Sequence, residues 1–114
     1  MAQYLLTVYR AKGFDPASSV DNEMSQAIDA LNDKMIDSGI RVFVGGLMSP
    51  ELARSLRLEL NGDITTAKGA YIDTTEYIDG LWVLEVPDIE TAEEWGRRAA
   101  LACRASVEVR PFYG

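Results

Sequence analysis

The sequence predicts an α+β fold: an antiparallel sheet with two helices on one face and a hairpin inserted between the middle strands. Three observations carry that expectation. Short apolar runs stand at residues 4–9, 40–47 and 77–86, and residues 106–110 alternate at strand period. They recur at helical period after Ser18 and again after Asp88. Between two short alternating runs stands Asn61-Gly62, the strongest short hairpin signal.

Residues 4–9 are aromatic and β-branched and read as a buried, central first strand, followed by a loop with Gly13 and Pro16. From Ser18, residues Val20, Met24, Ala27, Ile28, Leu31, Met35 and Ile36 share one helical face, with Asp21, Glu23, Asp29, Asn32, Asp33 and Asp37 opposite. Ser18 or Ser19 is expected to cap this helix, and Gly39 to supply the left-handed residue that ends it. Residues 40–47 form the second strand, where Gly45-Gly46 permits a bulge or a close backbone approach, and Ser49-Pro50-Glu51 breaks it. Residues 55–60 alternate Leu56, Leu58 and Leu60 against Arg57 and Glu59, and residues 64–67 return antiparallel. The apolar strand 77–86 is closed by Pro87. Asp88 then caps a helix in which Ile89, Ala92, Trp95, Ala99 and Cys103 share a face, and residues 106–110 make the last strand, ended by Pro111. Without the inserted hairpin the order is β-α-β-β-α-β, the ferredoxin-like plan. Two helices cannot cover the apolar side chains of Tyr4, Leu6, Val8, Val42, Val44, Leu81 or Trp82, and Val107 on one side alone. A second sheet against the bare face is therefore expected, giving a homodimer with a dimeric α/β-barrel-like assembly.

At 114 residues and 47% apolar, the chain is expected to form one domain, residues 1–114, with a single core. Eleven basic against eighteen acidic residues give a net charge of −7, which disfavours nucleic acid and anionic membrane surfaces and leaves small molecules or proteins as partners. One cysteine excludes an internal disulfide, and neither a signal peptide nor a membrane span is legible, so the expectation is a cytoplasmic protein. With no histidine and scattered carboxylates, no metal site and no cofactor are expected.

Four landmarks give the chain a family resemblance: Tyr4-Leu5-Leu6-Thr7-Val8-Tyr9; the loop from Lys68 through Gly69, Tyr71 and Asp73 to Glu76; Gly80-Leu81-Trp82 leading to Val86-Pro87-Asp88 and Glu94-Trp95; and Val107-Glu108-Val109-Arg110-Pro111. In this order along the chain they resemble the YCII-related, or DGPF, domain proteins, small bacterial ferredoxin-like dimers. The resemblance spans the whole chain. Lys68 stands where the family's loop motif has aspartate and Ala70 where it has proline, while Gly69, Tyr71, Asp73 and Glu76 keep its character. Some relatives carry a histidine–aspartate pair for acid–base chemistry. Asp37 matches the aspartate, but the histidine is absent.

Asp73 and Glu76 lie three apart beside Lys68 and Tyr71. A desolvated carboxylate there would act as a general base, with Lys68 or Tyr71 stabilising the charge that develops. The alternative is a solvated loop that pairs loosely and catalyses nothing. Tyr9, Arg10, Arg41, Tyr77 and Trp82 are candidates to line a pocket, with Arg10 or Arg41 receiving an anionic group and Asp37 nearby. Trp82 reads equally well as core. Trp95 and Cys103 read as interior, and Gly45-Gly46 lacks the context of a nucleotide fingerprint. Three functions stay open: a dimeric small-molecule-binding protein, a lyase or isomerase using Asp73 on an anionic or aromatic substrate, and a regulatory module docking partners.

Overall fold

The computed structural model describes every residue, Met1–Gly114. The elements, in chain order, are β1 (Ala2–Ala11), α1 (Pro16–Ser19), α2 (Asn22–Asp37), β2 (Arg41–Gly46), a 3₁₀ turn (Pro50–Leu52), β3 (Arg54–Leu58), β4 (Ile64–Lys68), β5 (Glu76–Val86), α3 (Ile89–Cys103) and β6 (Val107–Pro111). β2, β5, β1 and β6 form a four-stranded sheet in that order, every pair antiparallel, while β3 and β4 form a separate two-stranded hairpin.

The pleat sorts the sheet into two faces. Tyr4, Leu6 and Val8 of β1 and Trp82, Leu84 and Val86 of β5 point to one side, where they form a core with Leu31 and Met35 of α2 and Ala92, Trp95, Ala99 and Cys103 of α3. Both long helices therefore cover the same face. Trp95 and Cys103 lie inside, as their spacing predicts. α3 sits close to β6 because position 96 is glycine: a Cβ there would stand 2.8 Å from a Val109 methyl. On the uncovered face the ladder opposes Leu5 to Val83, Thr7 to Leu81 and Tyr9 to Ile78, and Phe43 pairs with Val83 from the other side.

Several boundaries differ from the sequence reading. A separate turn, α1, precedes the long helix, started by Pro16 and by Asp15, whose carboxylate accepts from Ala17 N–H. Ser18 and Ser19 belong to that turn, so the N-cap of α2 is Asp21, whose Oδ1 accepts from Met24 N–H at 2.8 Å. Aspartate caps as well as serine, and the apolar period alone did not choose between them. Val20 consequently lies outside the helix, and Ile36 and Ala27 face solvent, so the apolar stripe is the narrower set Met24, Ile28, Leu31 and Met35. Gly39 is left-handed, with φ of 69°, as expected. The β2 irregularity falls between Arg41 and Phe43, leaving Val42 half in solvent, whereas the Gly45-Gly46 pair serves close approach: a Cβ on facing Gly80 would meet the Gly45 carbonyl at 3.1 Å. α3 begins at its Asp88 cap, whose carboxylate accepts from both Thr91 N–H and the Thr91 hydroxyl.

Candidate functional site

The loop between β4 and β5, residues 69–75, is held at both ends. Gly69, at φ of 101°, donates its N–H to the Ala53 carbonyl at 2.8 Å and receives the Ser55 hydroxyl on its own carbonyl. At the far end Lys12 N–H donates to the Thr75 carbonyl at 2.7 Å, and the Thr74 hydroxyl donates to the Glu76 carbonyl. Glycine is required at position 69 because that backbone conformation is costly for any residue with a Cβ. Two clefts border the loop thus formed.

The larger cleft, about 540 Å³, is walled by Leu47, Met48, Leu52, Ile72 and Ile78, with Thr74 and Glu76 supplying polar edges. The smaller, about 290 Å³, takes in Lys12, Phe14, Glu51 and Asp73. Ser49, Pro50, Ala70, Ile72, Thr74 and Tyr77 line both, so the two adjoin around the loop. An apolar wall with a few polar groups at the rim is the composition of a small-molecule site.

Within this region the predicted residues separate. Asp73 pairs with Lys12 rather than Lys68, Oδ1 to Nζ at 2.8 Å, with 84% of its side chain exposed. A carboxylate so exposed keeps its water. Tyr71 turns to the hairpin, where the Arg57 guanidinium lies 4.7 Å from its ring centroid. Lys68 stands opposite Arg54 in the β3–β4 ladder. Glu76 opens β5 and borders the larger cleft. Lys12, Arg57 and Ile72 carry no motif of their own, and only the fold places them here.

A second group gathers inside, beneath the helices. Arg10 is 7% exposed, and its Nη1 donates to the Cys103 carbonyl at 2.6 Å while Nε faces Asp79 Oδ2 at 3.4 Å. The Phe14 ring covers the guanidinium, 4.5 Å from its carbon. Asn32 Oδ1 accepts from Trp82 Nε1 at 2.9 Å and from Arg41 Nη1 at 3.2 Å. Arg10, Asn32, Asp79, Trp82 and Cys103 border a cavity of about 160 Å³. Burial pushes the Cys103 thiol up, Arg10 opposes this and Asp79 adds to it, so the sulfur is a protonated core atom rather than a nucleophile. Tyr9 lies on the other side of the sheet, on the uncovered face, and Asp37 is exposed at the end of α2, so neither shares a site with the loop. Asn32 and Asp79 were invisible as partners in the sequence: one looks like a solvated helix residue, the other like a turn before Gly80. No group of three or more cysteines and carboxylates is placed to hold a metal ion, and no helix is long and apolar enough to cross a membrane.

The architecture defines a small α+β protein with two adjoining clefts around the loop that enters β5. The YCII-related domain family model matches residues 2–113, nearly the whole chain, and the protein belongs to that family. No curated protein matches it in sequence.

Proposed function

We propose that this YCII-related protein binds a small molecule with a largely apolar, aromatic or aliphatic body in the groove around residues 69–75, and that it works as a homodimer. The cleft of about 540 Å³ carries the reading: its volume falls in the range of roughly 300–1,000 Å³ typical of ligand sites, and its walls are mostly apolar. Thr74, Glu76 and the neighbouring Lys12–Asp73 pair would orient a polar head group. The sheet order β2-β5-β1-β6 with both long helices on one face supports the ferredoxin-like assignment. The uncovered row Leu5, Tyr9, Leu81, Val83 and Phe43 supports covering by a second copy. The exposed, lysine-paired state of Asp73 favours binding over carboxylate chemistry.

The test is a thermal-shift screen with aromatic and aliphatic small molecules. A ligand at a hundred times its dissociation constant stabilises by about 2.7 kcal/mol. Ile72→Trp, at a solvent-facing position that the core does not need, should fill the groove and abolish the shift. Saturable binding that Ile72→Trp leaves untouched would place the ligand elsewhere, and a screen without any saturable binder would remove the proposal.

A further inference from the structure

The hairpin β3–β4 is the largest feature that the groove does not use. Its register sets Leu56 beside Thr66 and Leu58 beside Ile64 on one face, with Leu60 at the turn. Leu56, Leu58 and Ile64 are 63%, 70% and 55% exposed. No helix or other strand packs substantially against the hairpin: its root is closed on itself through Gly69, Ala53 and Ser55, and Arg57 reaches Tyr71 of the following loop. The arm stretches the molecule to 49 × 40 × 18 Å and its radius of gyration to 16.1 Å, against roughly 13 Å for a compact chain of this length. A two-stranded hairpin alone in water is marginal, and this one turns its leucines outward. The fold therefore supplies the arm with a ladder and no cover.

We infer that the apolar face of this hairpin docks on the uncovered sheet face of a second copy of the chain, reciprocally, so that each copy's arm crosses to the other. Charge selects the occupant. Arg54, Arg57 and Lys68 against Glu59 and Asp63 leave residues 54–68 at +1, so the rest of a chain of net −7 holds −8. Arg54 and Lys68 flank the leucines on the docking face. The uncovered sheet face offers Leu5, Val83, Leu81 and Phe43 to those leucines, and its strands bring Glu85 to the same side, together with Glu108 and Arg110, which pair with each other at 2.7 Å. A basic, leucine-rich arm and an apolar sheet face flanked by Glu85, on a body of net negative charge, are complementary surfaces, and a two-fold axis lets both pairs form at once. The inference rests on the homodimer proposed above and adds the segment that crosses.

Sedimentation equilibrium with variants and a cross-link tests it. Leu58→Lys alters a residue that the single chain leaves exposed, so folding should survive, checked by far-UV circular dichroism. Its dimer dissociation constant should rise about a hundredfold, because the axis removes the leucine contact twice. Chains carrying Leu58→Cys, mixed with tagged chains carrying Val83→Cys, should form a mixed disulfide on oxidation. If Leu58→Lys remains as dimeric as the parent while Val83→Glu becomes monomeric, the homodimer stands and the crossing arm is wrong. Disulfides between two Leu58→Cys chains alone would mean that arms meet arms, which also overturns it. A parent chain that sediments as a monomer at high micromolar concentration overturns both the arm and the homodimer.

Discussion

Replacing Asp79 by alanine probes the interior pair on which β1, β5 and the end of α3 converge. Arg10 would keep its guanidinium at 7% exposure, with the Cys103 carbonyl as its one short acceptor and no counter-charge. At an effective dielectric of 20, unit charges about 4 Å apart attract by about 4 kcal/mol, which bounds the direct interaction. Breaking a fully buried pair costs about 3–5 kcal/mol. Asp79 is one third exposed, so water reaches the site and the expected cost falls to about 2–3 kcal/mol. The double variant Arg10→Met/Asp79→Ala removes the stranded charge and keeps most of the volume, so it should be no less stable than Asp79→Ala alone. Urea unfolding followed by tryptophan fluorescence is a direct assay, since Trp82 and Trp95 are both core residues. Protein concentration must be held constant, because dimerisation would contribute to the midpoint. A cost below about 0.5 kcal/mol for Asp79→Ala, or additive losses in the double variant, would mean that solvent rather than Asp79 balances Arg10.

Gly96→Ala should destabilise by up to about 2 kcal/mol: overpacking against the Val109 methyl costs about 1–3 kcal/mol, offset by about 1 kcal/mol of helix propensity, and thermal unfolding reads the net effect. Arg104 ends α3 in the left-handed region at φ of 51° and also bonds the Asp21 carboxylate at 2.9 Å. Arg104→Gly and Arg104→Ala both lose that bond but only glycine relaxes the backbone, so denaturation should find Arg104→Gly the more stable by about 1 kcal/mol. Asp21 is held below the usual carboxylate range by the Arg104 guanidinium and then the Met24 N–H, Asp88 by the Thr91 hydroxyl and then its N–H. Both bind protons less readily folded than unfolded. Their contribution is therefore complete above about pH 4 and disappears as pH falls through the lowered values. Asp21→Asn/Asp88→Asn should consequently flatten the acid side of the stability profile, measured as the unfolding midpoint from neutral pH down to about pH 2.

Much of this architecture was readable in the chain. An aromatic and β-branched run marked β1, a continuous apolar run marked β5 and alternation marked β6, while Asp88 marked the start of α3 and Asn61-Gly62 marked a hairpin whose loop closes with Gly62 at φ of 91°. These signals are local, because period, cap and turn chemistry act over a few residues. The start of α2 was less legible, since Ser18, Ser19 and Asp21 are all competent caps and only the separate turn begun by Pro16 decides between them. Within the candidate site the loop itself was visible from its Gly69, Tyr71, Asp73 and Glu76, but the partners were not. Lys12 reaches Asp73 across 61 positions, and Arg10 reaches Asp79 across 69.

The sequence by itself determined an α+β chain with paired helices, a marked hairpin, a buried unreactive cysteine and a YCII-type loop, because each follows from residue type and near spacing. The tertiary structure alone decided that Asp73 stays in water beside Lys12, that Arg10 and Trp82 turn inward, and that the hairpin stands away from the body. The physical reason is that charge pairing and desolvation depend on which distant strands the sheet brings together, and periodicity carries no record of that.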